Sequence, residues 1–279
     1  MKMEKYYIFL ALGALAIALM AVFVSIGPDD KSFPAAVTMP AMEKSLGNMA
    51  EMQNDSREEE NGIILLLPDL QVKKLSGARI DISPDGRKIL RFPGTFTNTG
   101  DGPLEVVGSL DEKTGTTMAI QQIYYMDGTK DEKFVGSFIF HEDHSHWHFE
   151  NFVEFGIYTL KDGAEPDQKI ASTGKMTFCI HDYAPLSEDF PGKPTAAVYP
   201  WCDNSPYIQG ISVGWEDTYN ADVPGQEIDI TRLNDGTYAF IATVDPENRL
   251  EEKIEDNNSA VSFIHISGNA ISVLPEHQP

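Results

Sequence analysis

Three histidines stand at alternate positions in the stretch HEDHSHWHFENFVEF, residues 141–155: His144, His146 and His148. On a β-strand, side chains two apart share a face, so all three imidazoles would point the same way. On a helix His146 would turn away from the other two, so a shared site requires the strand. Three imidazoles without a thiolate suit Cu(II) or Zn(II) and leave coordination positions open for water, oxygen or substrate. A straight strand puts residues 144 and 148 about 13 Å apart, near the limit for two imidazoles reaching one ion. A bend or bulge is therefore predicted within 144–148. Four of the seven histidines fall in 141–148, which argues against a merely solvated strand. The fourth, His141, reads equally as a group supporting the ligands or facing substrate and as a surface histidine. Along the same strand Ser145, Trp147, Phe149, Asn151, Val153 and Phe155 are expected to face the core. The ligands alone leave copper and zinc both open.

Such a strand needs a β-rich scaffold, and one begins near Gly62. Short runs such as IILLLP (63–68), KILRFPGTFTN (88–98), LEVVGSL (104–110), TMAIQQIYYM (117–126) and TYAFIATV (237–244) are separated by DG, TG, PG and NDG turn signals. No long segment has helical periodicity. The pattern predicts an all-β, sandwich-like single domain with long loops over 62–268, followed by a tail at 269–279. Ahead of it, residues 6–26 carry no charge and are long enough to cross a bilayer as one transmembrane helix. Lys2 and Lys5 precede this run while Asp29 and Asp30 follow it, which puts the N-terminus inside and the domain outside. An uncleaved anchor over 1–27 is expected over a cleaved signal peptide; both export the domain. Residues 28–61 read as a disordered acidic linker. Its methionines, Met39, Met42, Met49 and Met52, could capture Cu(I) or reflect composition alone.

The 279 residues carry 21 basic and 43 acidic side chains, a net charge of −22. That excludes nucleic acid as a natural partner, because phosphate binding needs a basic face. An acidic surface attracts cationic ligands, amines included, or serves solubility. The two cysteines, Cys179 and Cys202, cannot make a structural zinc site. In an oxidising compartment they are expected to pair.

The histidine stretch, with its ending Glu154-Phe155, resembles the copper-binding segment of the lysyl oxidases, here of the prokaryotic type. GKMTFCIHD (174–182) is similar to the family segment that holds the cofactor lysine. QGISVGWEDTYNADVPGQEIDIT (209–231) is similar to the one that holds the cofactor tyrosine. VDPENRLEEKIEDNN (244–258), LLPDLQ (66–71) and FTNTGDGPLEV (96–106) also fit, so the likeness covers nearly the whole exported domain. It implies His144, His146 and His148 as copper ligands, and Lys175 and Tyr219 as precursors of lysine tyrosylquinone. Copper and O₂ can oxidise a nearby phenol, and a deprotonated lysine can then add to the ring; burial and a neighbouring dication both favour that deprotonation. Asp217 would share a strand face with Tyr219, as a general base or as a carboxylate capping a turn. The resemblance further implies a structural calcium site made by Asp69, the Leu70 carbonyl, Glu252, Asn257 and Asn258. Ile254 stands where an acidic ligand is expected, with Asp256 the available substitute. Mammalian members carry more cysteines, one of them where this chain has Asp143, so Cys179–Cys202 is the only disulfide available.

What the resemblance implies is copper-dependent oxidative deamination of a primary amine, either peptidyl lysine or a small amine. The products would be an aldehyde, ammonia and hydrogen peroxide, with O₂ as co-substrate. The domain would work outside the cytoplasm, membrane-anchored through residues 6–26 or secreted. Two other readings keep the histidines: a non-enzymatic copper-binding β-sandwich, and a zinc hydrolase.

Overall fold

The computed structural model describes residues 59–60, 63–142, 145–202 and 208–275. The predicted segment 6–26, most of the linker and His144 lie outside the described residues. Among those described, every regular element is a β-strand, and no helix is long and apolar enough to cross a membrane.

The largest sheet, antiparallel throughout, holds eleven strands among the described residues. Its spine runs through Thr116–Tyr125, Lys130–His141, His146–Lys161, Gly236–Val244 and Ser259–Ser267. Glu165–Phe178 pairs with His146–Lys161, and Gln209–Ile211 pairs with Leu104–Asp111. A second sheet contains Ala184–Pro185, Trp215–Tyr219, Gly94–Asn98 and Leu70–Val72. A third contains Glu227–Asp229, Lys88–Arg91 and Arg79–Ile82. The run KILRFPGTFTN therefore breaks into two strands in different sheets. Pro93 lacks a donor for a continuous ladder, and Phe92 instead becomes wholly buried.

The phenylalanines show where the core lies. Phe92, beside the third sheet, packs edge-on against Phe155 and Phe240 of the large sheet, at 4.8 and 4.9 Å between ring centroids. Phe96, from the second sheet, meets Phe152 at 5.4 Å and Phe178 at 5.9 Å. The small sheets thus cover one face of the large one, and edge-to-face aromatic pairs each add about 0.5–1.5 kcal/mol beyond their buried area. Alternation places Phe149, Val153 and Phe155 in this core as expected.

Phe152 is the departure. It was expected beside the imidazoles, yet it is fully buried. The reason is Asn151, whose φ of 58° puts it in the left-handed region, with a register shift between Phe149 and Val153. From Phe149 to Val153 this strand advances four residues against two of its partner, so two extra residues form a bulge that bends the chain and turns Phe152 inward, and the alternation resumes in phase at Val153. The strand also changes neighbours there: His146–Phe149 pairs with Lys130–His141, and Val153–Tyr158 pairs with Gly236–Val244. The sheet also continues past residue 268, where the domain was expected to end. Ala270–Val273 pairs with Ser259–Ser267, since Ile271 has an apolar surface to cover.

Candidate active site

The histidine stretch is a hairpin rather than one straight strand. Residue 141 ends one strand and His146 begins the next, with the two paired directly across the ladder. Ser145, with φ 56°, closes the turn between them. Direct cross-strand neighbours share a face, so His141 joins His146 and His148. His141 stacks on His148 at 4.5 Å between ring centroids, and His146 lies 4.8 Å from His148. The Nε2 atoms of His146 and His148 stand 2.8 Å apart. Thr177 Oγ1 approaches His148 Nδ1 at 3.5 Å.

The backbone around these rings is held by a residue that pattern reading did not single out. Gln209 is buried; its Nε2 donates to the Trp147 carbonyl at 2.7 Å, and its Oε1 accepts from the Ile180 amide at 3.0 Å. It ties the histidine strand to the segment that leaves the lysine strand. An internal glutamine in a short apolar run was the available signal.

Lys175 and Thr177 are two apart on Glu165–Phe178 and so share the outer face, the side on which Thr177 meets His148. Lys175 Nζ donates to Glu247 Oε1 at 2.6 Å. Glu247 Oε2 in turn accepts from Asn151 Nδ2 at 3.0 Å, and Arg249 Nε stands 3.3 Å from it. The Lys175 and Asn151 bonds hold the Glu247 carboxyl below the usual carboxylate range. Tyr219 is engaged elsewhere. Its hydroxyl donates to the Cys179 carbonyl, its ring packs on Phe178 at 4.3 Å, and it lies against the Asp217 carboxyl. The two side chains expected to join therefore hold different partners.

Asp217 is fully buried, two positions before Tyr219 on Trp215–Tyr219. Burial pushes its carboxyl well above the usual range, and it pushes the Tyr219 phenol up as well, with Asp217 adding to that. Asp217 Oδ2 accepts from the His181 amide at 3.4 Å, and His181 Nε2 lies 3.5 Å from Oδ1, long for a hydrogen bond. Asp217 Oδ1 and His181 Nδ1 are buried without a hydrogen-bond partner among the described residues. Burial lowers the His181 imidazole below its usual value, and nearby His146 contributes in the same direction. His181 was likewise missed; its place in CIHD, one residue before a buried aspartate, was the only hint.

The expected calcium ligands are brought together. Asn257 Nδ2 donates to Asp69 Oδ1, Asn258 Nδ2 to Glu252 Oε1 and the Leu70 amide to Glu252 Oε2, each at 2.7 Å. Both asparagine carbonyl oxygens are buried without a hydrogen-bond partner among the described residues. Burial raises Glu252 to about 8. Ile254 and Asp256 are exposed. Cys179 and Cys202 form the disulfide, 5.9 Å apart at Cα, within the span that a disulfide bridges.

These residues suit a copper ion in one respect. At about 2.0–2.1 Å per nitrogen, two Nε2 atoms 2.8 Å apart subtend about 90°, the angle between neighbouring ligands in a tetragonal Cu(II) centre. Among the described residues no three His, Cys, Asp or Glu side chains form a complete metal cluster, so His146 and His148 need a further donor. His144, outside the described residues, is the expected one.

Residues 126–275 match the sequence model of the lysyl oxidase family. Lysyl oxidase homolog 1 of Homo sapiens is 35% identical over 127 residues, covering 46% of this chain and 20% of that protein. Protein-lysine 6-oxidase of Gallus gallus is 33% identical over 133 residues, 48% of this chain and 29% of the relative. The Sus scrofa protein of the same name is 32% identical over 133 residues, 48% and 49% respectively. The match thus spans at most about half the length of these curated relatives.

Proposed function

This chain belongs to the lysyl oxidase family, and we propose from that premise that it oxidises primary amines, peptidyl lysine or small amines, to aldehydes outside the cytoplasm. The observation that carries the reading is the meeting of the His146 and His148 Nε2 atoms at 2.8 Å, on a hairpin next to the strand that bears Lys175. His144, His146 and His148 would hold the copper. Copper with O₂ would supply the oxidation that joins Lys175 and Tyr219 into lysine tyrosylquinone, and the quinone would supply the carbonyl for amine chemistry.

The remaining steps belong to side chains of the chain itself. Asp217 lies beside Tyr219 and would be the carboxyl at hand for an amine joined to that ring. A carboxyl whose proton affinity is raised by burial is a strong base once ionised, and it is suited to taking the α-proton. The Cys179 carbonyl and Phe178 fix the Tyr219 ring, and Gln209 fixes the histidine strand relative to Cys179's neighbour Ile180. The net charge of −22 favours accumulation of cationic amines. Asp69, Leu70, Glu252, Asn257 and Asn258 would bind calcium as a structural ion; two asparagine oxygens without partners and a buried carboxyl support that. The charge-free run 6–26 and the disulfide both support an exported domain, anchored or secreted.

The decisive experiment is mass spectrometry of copper-loaded, aerated protein for a peptide pair joined through Lys175 and Tyr219. Tyr219→Phe should abolish peroxide release with amines while copper stays bound. Activity surviving that substitution would sink the quinone assignment. Copper binding without the crosslink would leave a metal-holding domain.

A further inference from the structure

We propose that Glu247 is a positioning residue that clasps Lys175 away from Tyr219 and sets the rate at which the two are joined. The inference rests on the lysine tyrosylquinone reading and adds a part to it. Lys175 is the member of the pair that must travel, because Tyr219 is fixed by Cys179, Phe178 and Asp217. It sits at the outer face of Glu165–Phe178, with Glu247 Oε1 at 2.6 Å.

The clasp is built rather than incidental. Asn151, at the bulge, donates to the other oxygen of Glu247, and Arg249 stands behind it. Glu247 itself lies in a turn framed by two left-handed residues, Asp245 (φ 44°) and Asn248 (φ 51°). Asp245 anchors that turn: its amide donates to the Phe152 carbonyl at 2.8 Å, and its carboxylate accepts from the Leu250 amide at 2.8 Å. Left-handed backbone at non-glycine residues persists only where the surroundings enforce it. The same bulge that flips Phe152 into the core thus also presents the Asn151 amide to Glu247.

The chemistry says why holding Lys175 matters. Tyr219 takes one oxygen atom from O₂ and loses two hydrogens, and the second oxygen atom leaves as water. The Lys175 amine lone pair then forms a bond to a ring carbon, its N–H proton and the displaced ring hydrogen passing to the ring oxygens and solvent. A second O₂ accepts two electrons and two protons and leaves as hydrogen peroxide. The ring addition needs a free amine lone pair, and an ammonium donating to a carboxylate has none.

The test compares aerated, copper-loaded full-length protein with Glu247→Gln and Asn151→Gly, following the joined peptide by mass over time beside copper content and melting temperature. Glycine tolerates the backbone at 151, so that variant removes only the amide from the clasp and serves if Glu247→Gln does not fold. Glu247→Gln should join the two side chains up to about fivefold faster, the factor for an ion pair this exposed of about 1 kcal/mol. Asn151→Gly should give a smaller acceleration at equal copper content. Joining at the wild-type rate or slower in both variants would overturn the clasp while leaving the quinone reading intact. A wild-type chain that binds copper and never joins would overturn both.

Discussion

Replacing Asp182 with alanine should cost about 3–5 kcal/mol of folding free energy, although no ligand or substrate need touch this residue. Asp182 is 4% exposed and accepts four bonds. Oδ1 takes the Ser212 amide at 2.7 Å; Oδ2 takes the Val198 amide at 2.8 Å, the Tyr199 amide at 3.1 Å and the Ser212 hydroxyl at 2.7 Å. It thereby pins the segment that leads to Cys202 against the strand preceding Trp215. Alanine strands three backbone donors and one hydroxyl, and each buried donor left unpaired costs about 1–3 kcal/mol. Two effects reduce the sum. Water can enter the vacated space, and a costly buried carboxylate is removed, its burial being the reason its pKa is raised. Urea unfolding of the oxidised protein measures the change, with an unchanged slope required for the comparison. Ser212→Ala removes only one donor and should cost about 1 kcal/mol. If Asp182→Ala cost no more than Ser212→Ala, the summation over stranded donors would be wrong.

Reducing the Cys179–Cys202 bond, which closes 23 residues of sequence, should lower stability by about 3 kcal/mol on the loop-entropy account; urea midpoints with and without reductant check this, and equal midpoints would contradict it. Asn151→Val forces a β-branched residue into the left-handed region at φ 58° and should cost about 1–3 kcal/mol, whereas Asn151→Gly should be nearly neutral; calorimetry giving equal melting temperatures would refute the strain argument. Glu252, raised to about 8 in the fold from a usual 4.5, keeps its proton in the native state while the unfolded chain loses it. Without calcium, the contribution of Glu252 to stability should therefore be fully present below about pH 4.5 and be lost, on the order of a few kcal/mol, as pH rises to about 8. Glu252→Gln should flatten that slope and added calcium should oppose it; an unchanged slope in the variant would reject the assignment. His148→Ala should lower copper affinity at least tenfold by competition with a chelator, and unchanged affinity would remove His148 from the ligand set.

Much of this protein is written locally in its sequence. Turn dipeptides and β-rich runs settle an all-β fold, because strand periodicity and turn chemistry are short-range properties. Alternation puts His146 and His148 on one face for the same reason, and the block around Asp217 and Tyr219 places both on one side of a strand. What the sequence could not give depends on a single backbone angle or on contacts between distant segments. The left-handed Asn151 flips Phe152 inward and hands the strand from one neighbour to another. Glu247 reaches Lys175 across 72 positions, and Gln209 reaches Trp147 across 62. No local pattern encodes such pairings, because they exist only once the sheets have packed. The chemistry of each residue is therefore set by the chain, and its partner by the tertiary fold.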